Sequence, residues 1–190
     1  MKKQPFSVAL SWTLLVLLST SVGINALQAR RIRKFIEPSS GAVSRVGQPA
    51  IPITGADVNG RPRTFTFDAK MPSVIYFFSK QCKWCEQNWA NVRALAASSR
   101  GRFRFVAVAE DSDLAAFVKD RRLEFDVIGG ITQAARKAFG FGPTPHTMVV
   151  SSQGQITNEW TGAFNGRRQR LIESFFDISL PGLDTPIGTR

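Results

Sequence analysis

The chain has 190 residues, a formal net charge of +11 and only two cysteines. That length supports one folded core beside a short appendage, and two cysteines cannot build a multi-bridge scaffold or a four-thiolate zinc centre. Residues 1–37 hold six Lys/Arg against one Glu, so much of the charge is local, and the remaining arginines are scattered without a nucleic-acid motif; no nucleic-acid partner is expected.

Met1-Lys2-Lys3 leads into Phe6–Leu27, a stretch without a charged residue that includes Leu14-Leu15-Val16-Leu17-Leu18. About 20 such residues suffice to span a bilayer. Leu27-Gln28-Ala29 is a poor small-x-small cleavage site, so residues 1–29 are expected to stay attached as a membrane anchor. Arg30, Arg31, Arg33 and Lys34 follow and suit anionic lipid headgroups. Counted strictly, these charges would hold the following domain in the cytoplasm. An N-terminal anchor before a folded domain more commonly delivers it outside, and the extracytoplasmic (periplasmic) side is the expectation. Residues 30–45 read as a basic juxtamembrane segment and linker, ending in Pro-Ser-Ser-Gly-Ala-Val-Ser-Arg.

A folded domain is expected over 46–180, followed by a C-terminal tail, 181–190. Asp57-Val58-Asn59-Gly60-Arg61 reads as a turn, and Thr64–Phe67 alternates like an edge strand. Ser73–Phe78 is an apolar, β-branched and aromatic run of strand character. Both cysteines come next, in Cys82-Lys83-Trp84-Cys85, and Glu86–Ser99 then carries apolar residues at helical spacing.

A thiol at a helix N-terminus faces partial positive charge and unpaired N–H groups, which favour its thiolate. Cys82 holds that position, and Lys83 adds charge of the same sign. In such motifs the first cysteine titrates at roughly 3.5–7.5 instead of ~8.5. Cys85, one turn deeper, is expected to be shielded, and the spacing allows the two sulfurs to close a disulfide. An acidic nucleophile beside a resolving thiol is what dithiol–disulfide exchange requires. Trp84 is expected at the surface against a substrate, and Trp89 in the core.

Phe103–Ala109 reads as a second strand and Leu114–Arg121 as a helix capped by Asp111 or Ser112. Thr132–Phe139 forms a further helix closed by Gly140. Met148–Ser151 and Gln155–Trp160 make a hairpin, and Gly166–Phe176 a last helix with Leu171, Ile172, Phe175 and Phe176 as its buried stripe. Helices between strands plus a terminal hairpin give an α/β fold with a mixed sheet flanked by helices.

Strand, Cys82-x-x-Cys85 at a helix start, Thr144-Pro145, hairpin and closing helix together resemble the thioredoxin superfamily. The nearest likeness is to membrane-anchored thiol–disulfide oxidoreductases of the TlpA/ResA type, with a redoxin or AhpC/TSA-like domain. It covers Val46–Phe176. The resemblance implies a thioredoxin-like fold and an oxidoreductase with Cys82 and Cys85 as catalytic residues. It also implies a cis Pro145 beside them, with the Thr144 backbone exposed to an incoming substrate strand. The expected partners are protein thiols or disulfides and an upstream electron donor or acceptor, acting on a monomer. No cofactor or metal is expected beyond the Cys82–Cys85 disulfide.

Three positions depart from the family pattern. Tyr76 and Asn88 stand where relatives carry carboxylates, and Ala90 stands where thioredoxin has a helix proline. The charges expected around the sulfurs are therefore Lys83, the helix N-terminus and His146. His146 follows Pro145 and either modulates the thiolate or serves as a strand-end histidine. Two other functions fit parts of the pattern. Ser79 lies three residues before Cys82 as in a peroxiredoxin-like peroxidase, although Ile75 replaces that family's proline. Cys82, Cys85 and His146 could serve a Cu(I)-handling chaperone.

Overall fold

The computed structural model describes residues 6–36, 44–67 and 70–184. The chain divides into two units, Met1–Ala42 and Val43–Arg190. Residues 37–43 of the expected juxtamembrane segment and linker, and residues 185–190 of the expected tail, lie outside the described residues.

In the first unit, α1 runs over Phe6–Ile36. Leu14–Leu18, Val22, Ile24 and Leu27 are all exposed on it. Its hydroxyl and amide side chains turn back on the helix: Ser19 donates to the Leu15 carbonyl, Thr20 to Val16 and Asn25 to Ser21. Among the described residues, no helix is long and apolar enough to cross a membrane. The expectation of a transmembrane helix is thus met by a helix but not by a span.

The second unit is a five-stranded mixed sheet with a two-stranded ribbon beside it. The ribbon pairs β1 (Ile53–Ala56) with β2 (Pro62–Phe65), antiparallel. Its turn closes because the Asp57 carboxylate accepts from the amides of Asn59 and Arg61, at 2.8 and 2.9 Å. The large sheet holds β3 (Ser73–Phe78), β4 (Arg104–Ala109), β5 (Asp126–Ile128), β6 (His146–Val150) and β7 (Ile156–Thr161). Its order is β5-β4-β3-β6-β7. Strands β3, β4 and β5 are parallel, whereas β6 and β7 return antiparallel.

β3 is buried at every residue. Val74, Tyr76 and Phe78 face one layer with Trp89, Leu95, Phe164, Ile172 and Phe176. Ile75 and Phe77 face the other with Ile53, Phe139, Phe141 and Met148. Burial on both faces explains why the run reads as continuously apolar.

The helices follow the sequence with corrections. The expected single helix after the cysteines is two: α2 (Lys83–Glu86) and α3 (Trp89–Ser99). α4 (Ala115–Asp120) has no side-chain cap, because Asp111 accepts from the Lys80 amide at 3.0 Å instead. α5 (Gln133–Phe139) begins where Thr132 Oγ1 accepts from the Ala135 amide, and it ends at left-handed Gly140. α6 (Gly166–Phe176) buries only Ile172 and Phe176; Leu171 and Phe175 are exposed. Leu171 and Phe175 lie about 100° round the helix from Ile172 and Phe176, and Phe175 meets Trp160 at 5.4 Å while staying partly in solvent. The short strands β1 and β5 were not legible, since neither has a sustained alternation.

Trp89 is fully buried and meets Tyr76, Phe78 and Phe117 edge-on or tilted, at centroid distances of 5.6, 5.1 and 5.7 Å. Trp89→Ala should cost about 3–5 kcal/mol, read as a lowered midpoint in urea unfolding.

Candidate active site

β3 is the middle strand, and its C-terminal end delivers the chain directly to Cys82. Cys82 is the N-cap of α2, with extended backbone (φ −78°, ψ 106°) and its Sγ accepting from the Cys85 amide at 3.0 Å. The cysteines are joined as a disulfide with Cα atoms 5.2 Å apart. Cys85 is 1% exposed, whereas Cys82 is half-buried. One sulfur is therefore reachable and the other enclosed. Lys83 and Trp84 are exposed beside them, Trp84 at 53%.

Below the disulfide the positions expected to lack acids are filled by a neutral network. Asn88 is fully buried: its Nδ2 donates to the Tyr76 hydroxyl at 3.3 Å, and its Oδ1 accepts from the Phe164 amide at 3.0 Å. Asn91 Nδ2 donates to the same Oδ1 and to the Phe164 carbonyl. Burial pushes the Tyr76 hydroxyl far above its ordinary range, with the Asn88 hydrogen bond pulling weakly the other way. Tyr76 thus stays protonated at any working pH, and this network holds no base. The nearer acids belong to other partners. Asp111 takes the Lys80 amide and Glu86 pairs with Arg121 at 2.9 Å.

The Thr144–Pro145 bond is cis, as the resemblance implied. Phe77 pairs with His146 across β3 and β6, so one further step of that register brings Pro145 level with Phe78, near the start of the redox loop. Pro145 is buried and Thr144 half-buried. The Pro145 carbonyl accepts from the Gly162 amide at 2.6 Å.

His146 is placed elsewhere. As the cross-strand partner of Phe77 it faces the layer of Phe141, its ring 5.9 Å from that phenyl, on the sheet face opposite Cys85. It is 3% exposed, and its Nε2 lies 3.8 Å from a Glu159 carboxylate oxygen. Burial lowers its pKa, and Glu159 partly opposes that. The structure therefore brings Cys82, Cys85, Lys83 and Trp84 together, with Thr144 and Pro145 at the adjoining strand end, and leaves His146 out. A Cu(I) set of Cys82, Cys85 and His146 is not assembled. A groove of about 750 Å³ lies along α3 and α4, between Arg93, Phe103, Arg121 and Phe125, and neither cysteine lines it.

A family model described as the AhpC/TSA family matches residues 46–159, more than half of the chain. The chain belongs to the AhpC/TSA family. This is a family of redox enzymes, and the expectation of an oxidoreductase stands with it. No curated protein matches the chain. Among solved structures it is similar to the thioredoxin domain of a thiol-disulfide oxidoreductase from Bacteroides vulgatus, with a TM-score of 0.58 and 16% identity over 70% of this chain and 99% of that one. It is also similar to a thioredoxin family thiol:disulfide interchange protein from Chlorobium tepidum, with a TM-score of 0.55 and 20% identity over 70% and 98%. A putative thioredoxin from Neisseria meningitidis gives a TM-score of 0.55 and 21% identity over 66% and 86%. At these identities the likeness is one of fold: a thioredoxin-like α/β fold.

Asn91, Phe164 and Asp184 were not singled out in the sequence. Asn91 sits on the buried face of a helix otherwise lined by Trp89, Val92 and Leu95, and a polar residue at such a position was the available signal. The His146 placement carries its own expectation. Because the folded chain binds this proton less readily than the unfolded chain, stability should fall as pH drops below the ordinary value of 6.5. His146→Gln should remove that part of the fall, seen by comparing urea midpoints at pH 8 and pH 5, and should leave the Cys82 pKa unchanged.

Proposed function

We propose that this family member exchanges electrons with protein thiols and disulfides through Cys82 and Cys85. The single observation that carries the reading is the asymmetric disulfide, with one half-buried sulfur capping a helix and the other enclosed. In the oxidised form a substrate thiolate attacks Cys82 Sγ. The Cys82–Cys85 bond breaks, Cys85 leaves as the thiolate, and a mixed disulfide links substrate to Cys82. A second substrate thiolate then attacks its own sulfur in that bond and expels the Cys82 thiolate. The substrate ends as a disulfide and the protein as a dithiol, two electrons having passed to it. The reverse sequence reduces a substrate, and an electron donor or acceptor resets the cycle. The α2 N-terminus and the Cys85 amide stabilise the Cys82 anion, which favours Cys82 as the leaving group of the second step and as the attacking thiolate of the reverse sequence. Cys85 has no carboxylate in the Tyr76–Asn88–Asn91 network, so its proton comes from solvent.

A protein substrate suits a disulfide at an exposed rim, beside Trp84 and next to the strand end at Thr144. There an extended segment can add backbone hydrogen bonds while Trp84 contributes apolar contact. The similar Bacteroides vulgatus and Chlorobium tepidum proteins, a thiol-disulfide oxidoreductase and a thiol:disulfide interchange protein, support the same reading. We further infer attachment to a membrane through residues 6–27, with the catalytic domain on the extracytoplasmic side. That inference is supported by the charge-free sequence and by the exposed Leu14–Leu18 surface of α1.

Cys85→Ser should accumulate a mixed disulfide through Cys82, and Cys82→Ser should accumulate little, both read on non-reducing gels after incubation with a reduced protein substrate. Equal trapping by the two variants defeats the assignment. Fast hydrogen peroxide consumption by the reduced chain without a thiol substrate would make it a peroxidase instead. For the anchor, the chain should remain in the membrane pellet after a high-salt wash; recovery in the supernatant, with an N-terminus near Ala29, shows a cleaved leader.

A further inference from the structure

The helix that carries the cysteines is broken between α2 and α3, and one distant residue meets both broken rungs. In an unbroken helix the Ala90 amide would donate to the Glu86 carbonyl and the Gln87 carbonyl would accept from Asn91. Instead Ala90 N–H donates to Asp184 Oδ2 at 3.3 Å, and the Gln87 carbonyl accepts from the Asp184 amide at 2.7 Å. The α3 N-cap, Asn88, makes no side-chain bond to a backbone N–H of its own helix, because its amide is committed to the Tyr76 hydroxyl, the Asn91 side chain and the Phe164 amide. Asp184 therefore acts as the missing cap from 94 residues away.

The surrounding segment is docked along its length. Leu180 N–H donates to Glu173 Oε1 at 2.9 Å, and Gly182 N–H donates to Asn91 Oδ1 at 2.8 Å. Leu180 is itself buried in the core layer that contains Cys85. Alternate amides of 180–184 thus point at α6, at α3 and at the break. Residues 181–184, expected as the start of a tail, are bound to the redox helix through Asn91, which also holds Asn88. Thioredoxin has a proline at the place of Ala90, which has no N–H and ends the ladder by itself; here the N–H is present and needs a partner.

We propose that Asp184 is a positioning residue for the redox centre: the segment 180–184 latches α2 apart from α3 and so sets the Cys82 thiolate's environment. The inference rests on the thiol–disulfide reading of the site. Without the Asp184 carboxylate, Ala90 N–H returns to the Glu86 carbonyl and α2 joins α3 in one continuous helix. The longer helix then directs more positive potential at its N-cap, Cys82. Its thiolate becomes more stable, its pKa falls, and the dithiol form gains over the disulfide.

The test is the Cys82 pKa and the dithiol–disulfide equilibrium constant against a glutathione buffer, measured on the full chain. Asp184→Ala should shift that constant about fivefold toward the dithiol, the size of one helix-terminus interaction, and lower the Cys82 pKa. Asp184→Asn keeps an acceptor for Ala90 N–H and should stay near the wild-type value. An equal shift in both variants means that only the charge acts, and this overturns the latch. A loss of thermal stability in Asp184→Ala with an unmoved equilibrium also overturns it, leaving Asp184 a structural cap. Ala90→Pro removes the amide and keeps the break, so Asp184→Ala added to it should shift nothing further; a further shift is the third result against the proposal. If the wild-type chain equilibrates with glutathione and only these variants disagree, the latch fails alone. If the wild-type chain does not exchange with thiols, the functional reading fails first.

Discussion

Cys85 lies in the same apolar layer as Tyr76, Phe78 and Trp89, while Cys82 stands at that layer's edge, and the chemistry of the chain depends on this difference. An enclosed sulfur cannot be approached by a protein thiol, so in the proposed exchange Cys82 is the sulfur that meets the substrate. The difference originates in β3, whose burial on both faces forces its C-terminal end to emerge from the middle of the sheet. A chain leaving a buried strand must satisfy its backbone at once, and starting a helix there does so. The first cysteine becomes the cap and the second falls one turn inward. Spacing and accessibility follow from one strand-to-helix transition.

The ground beneath that transition is polar but neutral. Tyr76, Asn88 and Asn91 fill space that a buried carboxylate would occupy at the cost of desolvating its charge. A neutral network avoids that cost and gives up a proton acceptor for Cys85. It also spends both ends of the Asn88 side chain, which would otherwise cap α3. The carboxylate that caps α3 comes instead from Asp184, near the surface, where its charge stays hydrated.

The opposite face of the sheet is chemically separate. His146, two residues after Thr144, points into the layer of Phe77 and Phe141 because alternate residues of a strand face opposite sides. Its burial near Glu159 makes it a contributor to the pH dependence of stability and keeps it away from the sulfurs. The groove along α3 and α4 is likewise remote from the cysteines, in keeping with a substrate that meets the disulfide at an open rim.

Much of this was legible in the residues themselves. Ser73–Phe78 as a buried strand, Cys82 as a helix cap, Thr132 and Gly140 as the ends of α5, and a mixed sheet closed by a hairpin all rest on local rules of periodicity, capping and turn chemistry. Those rules act between residues a few positions apart, so one stretch of sequence contains the whole interaction. The sulfur-bearing helix was read as continuous because nothing within Glu86–Ser99 breaks it; the break is held by Asp184, at the far end of the chain. Adjacency to Pro145 suggested that His146 might reach the sulfurs, yet strand register turned it to the other face. Leu171 and Phe175 fit a helical stripe, but the face turned inward carries Ile172 and Phe176 and leaves the other two exposed beside it. In each case the outcome belongs to partners brought together by folding, and no pattern along the chain encodes which partner will arrive.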